Sequence, residues 1–220
     1  FATRLSLALA ALVLTAAATS AAPLTLPPGL NPGDQYRLAF ITSDQRNATA
    51  TDIAVYNSFV SGAANAVAEL AALGTTWSAI ASTGGTSARD NTSTVFGSDP
   101  DAPIFLLDGV KVADGNLALW GGSLDAAITI TETGSTYSGL EFVWTGTDSL
   151  GTGAFGEWLG SLDPVSGRLF ETDGDWINQS ISFPPGVSLS LYGLSGVLTV
   201  ATVHEPAPVA VLAMSLAVLT

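Results

Sequence analysis

Two periods of hydrophobic residues organise the middle of the chain. Between residues 51 and 74, apolar side chains recur at steps of three and four, which is the repeat of one helical face: Ile53, Tyr56, Val60, Ala63, Val67 and Leu70. Thr51 is placed to cap the first turn, and Gly74 is placed to end the helix. The pattern therefore predicts one amphipathic helix over this stretch.

The second period is that of strands. Short apolar runs bounded by Gly, Asp and Ser predict strands at 36–42, 76–82, 104–112, 128–133, 140–147 and 187–200. Within the third run, Asp108-Gly109 separates two apolar halves and predicts a hairpin with a type I′ turn. One early helix followed by many short strands predicts an α+β fold class.

Residues 1–22 have the three parts of a secretory signal peptide. Arg4 gives a positive start, an apolar run follows over 5–18, and small residues lead up to Pro23. The alternative, a buried N-terminal helix, is disfavoured because proline at this point stops the helix from continuing. We therefore expect 23–202 to be the exported domain.

The C-terminal tail, 207–220, is uncharged and apolar. As a helix it would rise about 21 Å, whereas a membrane span must cross about 30 Å of hydrocarbon. Because the chain also begins at Phe1 rather than Met, we expect the natural chain to continue into a complete transmembrane helix. A plain membrane anchor and a buried helix are the alternatives to a sorting segment.

The residues before this tail, Val203, His204, Glu205 and Pro206, resemble the Pro-Glu-Pro element of the PEP-CTERM sorting signal. The resemblance covers 203–220 and departs from the family in two places: His204 stands where proline is usual, and the basic cluster after the helix is missing. It implies recognition by an exosortase-type enzyme of a Gram-negative bacterium. It also implies attachment to the inner membrane before processing, and a final location in the cell envelope or outside the cell.

Charge and composition exclude several classes of protein. The net charge of −13, with 6 basic residues against 19 acidic ones, repels phosphate and so excludes nucleic acid as an expected partner. The absence of cysteine removes disulfides, thiolate metal sites and cysteine nucleophiles. The single histidine, His204, lies in the tail, so the domain cannot build a Ser-His-Asp triad or a histidine zinc site. We expect a protein that is not an enzyme.

Calcium is the one cofactor for which the chain offers candidate ligands. Glu171, Asp173 and Asp175 alternate in a glycine-containing loop, and calcium prefers oxygen ligands from such loops. Further carboxylates occur in other loops, at Asp99, Asp101, Asp108 and Asp114. None of these stretches matches the EF-hand pattern, so we expect them to be solvated acidic loops rather than calcium sites.

Several segments, taken in order, resemble a bacterial secreted C-type-lectin-like domain of the collagen-endostatin type. They are LAFITSD, AANAVAELAALGTTWSAIAS, FLLDGVKVAD, LWGGSLDAAITITETG, FVWTGT and LYGLSGVLTV, which together span 36–200. The resemblance implies a single domain with an early helix, short antiparallel strands and a large irregular loop region. Many relatives hold these loops with cysteines, which this chain lacks, so most of its 5 tryptophans are expected to serve as core anchors.

The expected function is that of an exported protein with a non-enzymatic domain for surface, extracellular-matrix or biofilm interactions, with a surface polysaccharide or matrix as partner. A calcium-assisted carbohydrate-binding module is the alternative. A secreted hydrolase is a third reading, and it would need a pair of carboxylates in one cleft.

Overall fold

The core is a mixed β-sheet built around its two longest strands, β1 (Gln35–Ile41) and β8 (Ser190–Ser195), which pair antiparallel. The structure is a computed structural model that describes residues 22–202. Seven shorter strands complete the described sheet: β2 (Trp77–Ala79), β3 (Ile104–Leu106), β4 (Lys111–Ala113), β5 (Phe142–Trp144), β6 (Val165–Arg168), β7 (Ile181–Ser182) and β9 (Leu198–Thr199).

The order in the sheet is β4-β3-β1-β8-β5-β6-β7, with β2 also paired to β8 and β9 to β1. The helices of the described part are short apart from the first: α1 (Ile53–Asn65), α2 (Ala68–Ala71), α3 (Ala88–Asn91), α4 (Asn116–Leu119) and a 3-10 turn (Gly174–Trp176). The predicted α+β class is confirmed as a mixed domain with a mostly sheet core and few helices. Within 22–202, no helix has the length and hydropathy to cross a bilayer.

The predicted helix is present but divided in two. Asp52, rather than Thr51, caps α1, because its carboxylate accepts a hydrogen bond from Ala54 N at 2.9 Å. Val67 then takes an extended backbone and starts α2, which ends before Gly74 with its φ of +59°. A single apolar repeat therefore ran across a break that periodicity alone could not reveal.

The hairpin between β3 and β4 has a different turn from the predicted type I′. That turn needs positive φ at both central residues, but of the two only Gly109 has it, at +87°. Leu106 O accepts from Gly109 N at 3.0 Å, and Leu106 N donates to Val110 O at 2.8 Å. The loop is therefore a three-residue connection, 107–109, whose positive-φ position is Gly109. The register of the pair shifts farther from the turn, between Ile104 and Phe105.

Two of the predicted strands are corrected. The stretch 128–133 makes isolated bridges, Ile130 to Thr136 and Ile41 to Thr131, because the chain already turns back at Gly134. The stretch 187–200 is divided between β8 and β9 around Gly196. The short strands β6 and β7 and the helices α3 and α4 were not predicted.

Four of the five tryptophans are core anchors, as predicted. Trp77, Trp120, Trp144 and Trp176 are each at most 8% exposed. Trp120 stacks on Trp176, with ring centroids 6.0 Å apart, and Trp176 also contacts the ring of Tyr192 at 5.7 Å. Trp158 is half-buried. These contacts join the sheet to the irregular segments without any disulfide.

The C-terminal end of the described chain leaves from one edge of the sheet, whereas at the N-terminal end Leu24 N donates to Leu107 O, just beyond β3. Val200 N donates to Asp34 O, and Gly33 N donates to Val200 O, each at 2.9 Å. Nearby, the hydroxyl of Tyr36 donates to Thr25 O at 2.9 Å. We call this the proximal edge, where β1 begins. The opposite, distal edge lies at the end of β1, about 20 Å away at the usual rise per strand residue.

Candidate functional site

The candidate site lies at the distal edge, where β1 ends and meets the turn at residues 131–133. Ile41 N donates to Ile130 O at 2.9 Å, which fixes the two segments side by side. Two residues later, Ser43 binds the carboxylate of Glu132 twice: its N–H donates to Oε2 at 2.9 Å, and its hydroxyl donates to Oε1. This pair is the centre of the site.

Glu132 is unusual because its carboxylate is buried without a cation. Glu132 is 6% exposed, and it is the one buried acid among residues 22–202. The ion pairs of this part of the chain are made by Lys111 and Arg168, and none of them reaches Glu132. A carboxylate offers about four acceptor positions, so the two bonds from Ser43 leave acceptor capacity unused.

Two cavities flank the turn. The first, which we call the hydroxyl cavity, has a volume of about 340 Å³ and is lined by Ser43, Gln45, Thr131, Thr133, Ser135, Thr136, Tyr137, Ser138 and Gly139. The buried hydroxyl of Tyr137 accepts from Gln45 Nε2 at 3.2 Å and from Ser190 Oγ at 2.9 Å. The lining is thus rich in uncharged donors and acceptors.

The second cavity, which we call the helix cavity, has a volume of about 470 Å³ and shares Thr133 with the first. It is lined by Asp44, Ser58, Phe59, Gly62, Ala63, Ala66, Val67, Glu132 and Thr133. Its apolar part comes from α1 and the residues that follow it. Gly62 contributes open space, since a Cβ built there would meet no atom within 4 Å.

The acids singled out as calcium candidates are used locally. Glu171 pairs with Arg168 at 3.6 Å, and Asp173 accepts a bond from Asp175 N at 3.0 Å, which caps the 3-10 turn. Asp175 is exposed. In the part of the chain that the structure describes, no group of three or more acids or histidines is placed to hold a metal ion.

The other four candidate carboxylates also hold turns. Asp99 accepts from Val95 N at 2.7 Å and Asp101 from Asn116 N at 2.6 Å. Asp108 accepts from Val110 N, and Asp114 pairs with Lys111. The sorting residues Val203, His204, Glu205 and Pro206 lie outside the described residues.

A third cavity, of about 360 Å³, lies near the proximal edge beside a buried arginine. Arg37 is 2% exposed, and its guanidinium donates to Thr92 O, Ser195 O and Ser93 O at 2.7–3.1 Å. Burial lowers the pKa of Arg37, and the charges of Asp99 and Asp101 oppose that change. Because every one of these acceptors is a backbone carbonyl, Arg37 joins β8 to the loop after α3.

Sequence reasoning missed the site at the distal edge. Glu132 was read as one position of a strand, although a lone acid between threonines in the stretch ITITET was the available signal. Ser43 gave no signal, since its partner lies 89 residues away. No family model matches the chain, and no curated protein matches it either.

Proposed function

We propose that this chain is an exported cell-envelope protein whose domain, 23–202, is a non-enzymatic module for surface or matrix interactions. In this proposal residues 1–22 direct export. Residues 203–220 are the PEP-CTERM-like signal that an exosortase-type enzyme reads. The observation that carries the proposal is the separation of the C-terminal end of the domain, at the proximal edge, from the polar site, at the distal edge.

The separation matters because a domain held by one edge presents the other edge to its surroundings. A tether at Thr202 would place the proximal edge toward the membrane and leave the hydroxyl cavity free. The uncharged hydroxyl and amide groups of that cavity are suited to hydrogen bonding with the hydroxyls of a surface polysaccharide. The net charge of −13 favours neutral or cationic partners.

The fold we propose for the domain is C-type-lectin-like. Support comes from the early helix α1 packed beside the sheet, the short strands, and the long stretch between β5 and β6 that forms turns. No enzyme activity is part of the proposal. A glycosidase of the usual kind needs a pair of carboxylates. The helix cavity is lined by two acids, Glu132, which accepts two hydrogen bonds from Ser43, and Asp44, which is exposed.

The test is mass spectrometry of the C-terminal peptide of the protein recovered from its own cells, together with protease treatment of intact cells. We expect a native C-terminus within 203–206 and digestion of the domain from outside. The double variant Glu205→Ala, Pro206→Ala should keep its tail, whereas the control Pro208→Ala should be processed normally. A cytoplasmic protein that retains residues 1–22 would refute the proposal.

A further inference from the structure

The helix cavity combines an apolar wall with negative charge. Phe59, Ala63 and Val67 are half-buried and pack against the core from the helical side. The same cavity is lined by two acidic residues, Glu132 and Asp44. A ligand that fills it must therefore satisfy both an apolar surface and a carboxylate.

Of these two requirements, pairing the carboxylate of Glu132 is the stronger. A buried charge is costly unless it is paired or fully hydrogen-bonded, and Ser43 supplies its only two donors in the described structure. An apolar ligand would leave this charge unpaired, and an anionic ligand would be repelled by it. A ligand that brings a positive charge would supply the missing partner.

Arg46 contacts Phe59, a residue of the cavity wall, but its guanidinium is already engaged. Arg46 stacks its guanidinium over the rings of Tyr56 and Phe59, at 4.8 and 5.5 Å from their centroids. It also donates to Val55 O at 2.8 Å and makes no ion pair with Glu132. The position of Arg46 shows that this helical surface accepts a cation beside an aromatic ring.

We propose that the helix cavity binds a protonated aliphatic amine. The ammonium group binds Glu132 and Asp44, and the carbon chain lies along Phe59, Ala63 and Val67. The volume of about 470 Å³ falls within the range of small-ligand pockets, about 300–1,000 Å³. The assignment rests on the proposed function, because it takes the distal edge as the binding end of the domain.

The first experiment is titration calorimetry of the full 220-residue chain in a mild nonionic detergent. The probes are putrescine, N-acetyl-lysine amide and the uncharged analogue n-butanol. We expect both amines to bind at least about tenfold more tightly than butanol, because a hydrogen bond to a charged group adds this much. Tighter binding of putrescine indicates a free diamine as the natural ligand, and tighter binding of the lysine derivative indicates a lysine of a partner.

Two variants test the location without disturbing the core. Gly62→Leu should fill the cavity and weaken amine binding at least about tenfold, whereas Ala54→Leu, at an exposed position of the same helix, should not. Asp44→Asn should weaken binding about two- to fivefold. The control Asp163→Asn removes the same charge from an exposed position outside the cavity lining and should leave binding unchanged.

Glu132→Gln should weaken amine binding most, and if this variant does not fold, Gly62→Leu and Asp44→Asn still decide the question. The proposal is overturned if butanol binds as tightly as the amines, if the amines do not bind at millimolar concentration, or if Gly62→Leu binds them normally. Export and tail processing are measured separately in cells, so a failure of the proposed function is distinguishable from a failure of this assignment.

Discussion

The hydroxyl of Tyr192 offers the sharpest test of the packing. The side chain is fully buried, its hydroxyl has no hydrogen-bond partner among the described residues, and its ring contacts Trp176. An unsatisfied buried hydroxyl costs about 1–3 kcal/mol. Tyr192→Phe removes that cost and keeps the ring, so it should raise the free energy of unfolding by about 1 kcal/mol.

Tyr56→Phe is a matched control for which we expect the opposite change in the free energy of unfolding. It is also fully buried, but its hydroxyl donates to Ala50 O at 2.8 Å. Tyr56→Phe deletes the same oxygen atom and loses this bond, so it should lower the free energy of unfolding by about 1 kcal/mol.

The assay is urea unfolding of the full chain followed by tryptophan fluorescence, with melting temperatures as a second measurement. For a protein of this size, 1 kcal/mol corresponds to a shift of about 2–4 °C. The reasoning is refuted if Tyr192→Phe destabilises the protein as much as Tyr56→Phe does. That result would mean that the Tyr192 hydroxyl is satisfied, for example by an ordered water molecule.

Three further predictions concern stability. Gly62→Ala should stabilise the protein by about 0.4–1 kcal/mol, because Gly62 lies inside α1 with open space at its Cβ position; equal or lower stability in urea unfolding would contradict this. Arg37→Lys should destabilise the protein by about 2 kcal/mol or more, because lysine cannot bind all three carbonyls. The control Arg168→Lys changes a residue in exposed ion pairs and should cost less than about 1 kcal/mol. Burial raises the pKa of Tyr56 to about 12. As the pH rises above 10, the Tyr56 hydroxyl therefore loses its proton in the unfolded protein before it does so in the folded protein, and the free energy of unfolding should fall between pH 10 and 12. The fall should be less steep in Tyr56→Phe, which lacks this hydroxyl.

The sequence predicted those parts of the fold that depend on local patterns of apolar residues. The burial of Tyr56, Val60 and Leu70 follows from their helical spacing. The strand at 36–42 follows from its continuous apolar run, which matches a strand buried on both faces. The α+β class could be predicted from these local elements alone.

What sequence could not predict depends on contacts between distant residues. The break at Val67 leaves the apolar repeat intact, so periodicity could not show it. Glu132 became the centre of the site only because the end of β1 meets a turn that is far away in the sequence. The burial of Arg37 depends on backbone carbonyls from two distant segments, which accept hydrogen bonds from its guanidinium.

The pairing of β1 with β8 also determines when the domain can fold. Strand β1 belongs to the first residues of the domain and β8 to the last, so the sheet cannot close until nearly the whole domain is available. Contacts between such distant residues slow folding, because a long loop must close before they form. During synthesis, β1 therefore remains without its central partner until the residues of β8 have been added to the chain.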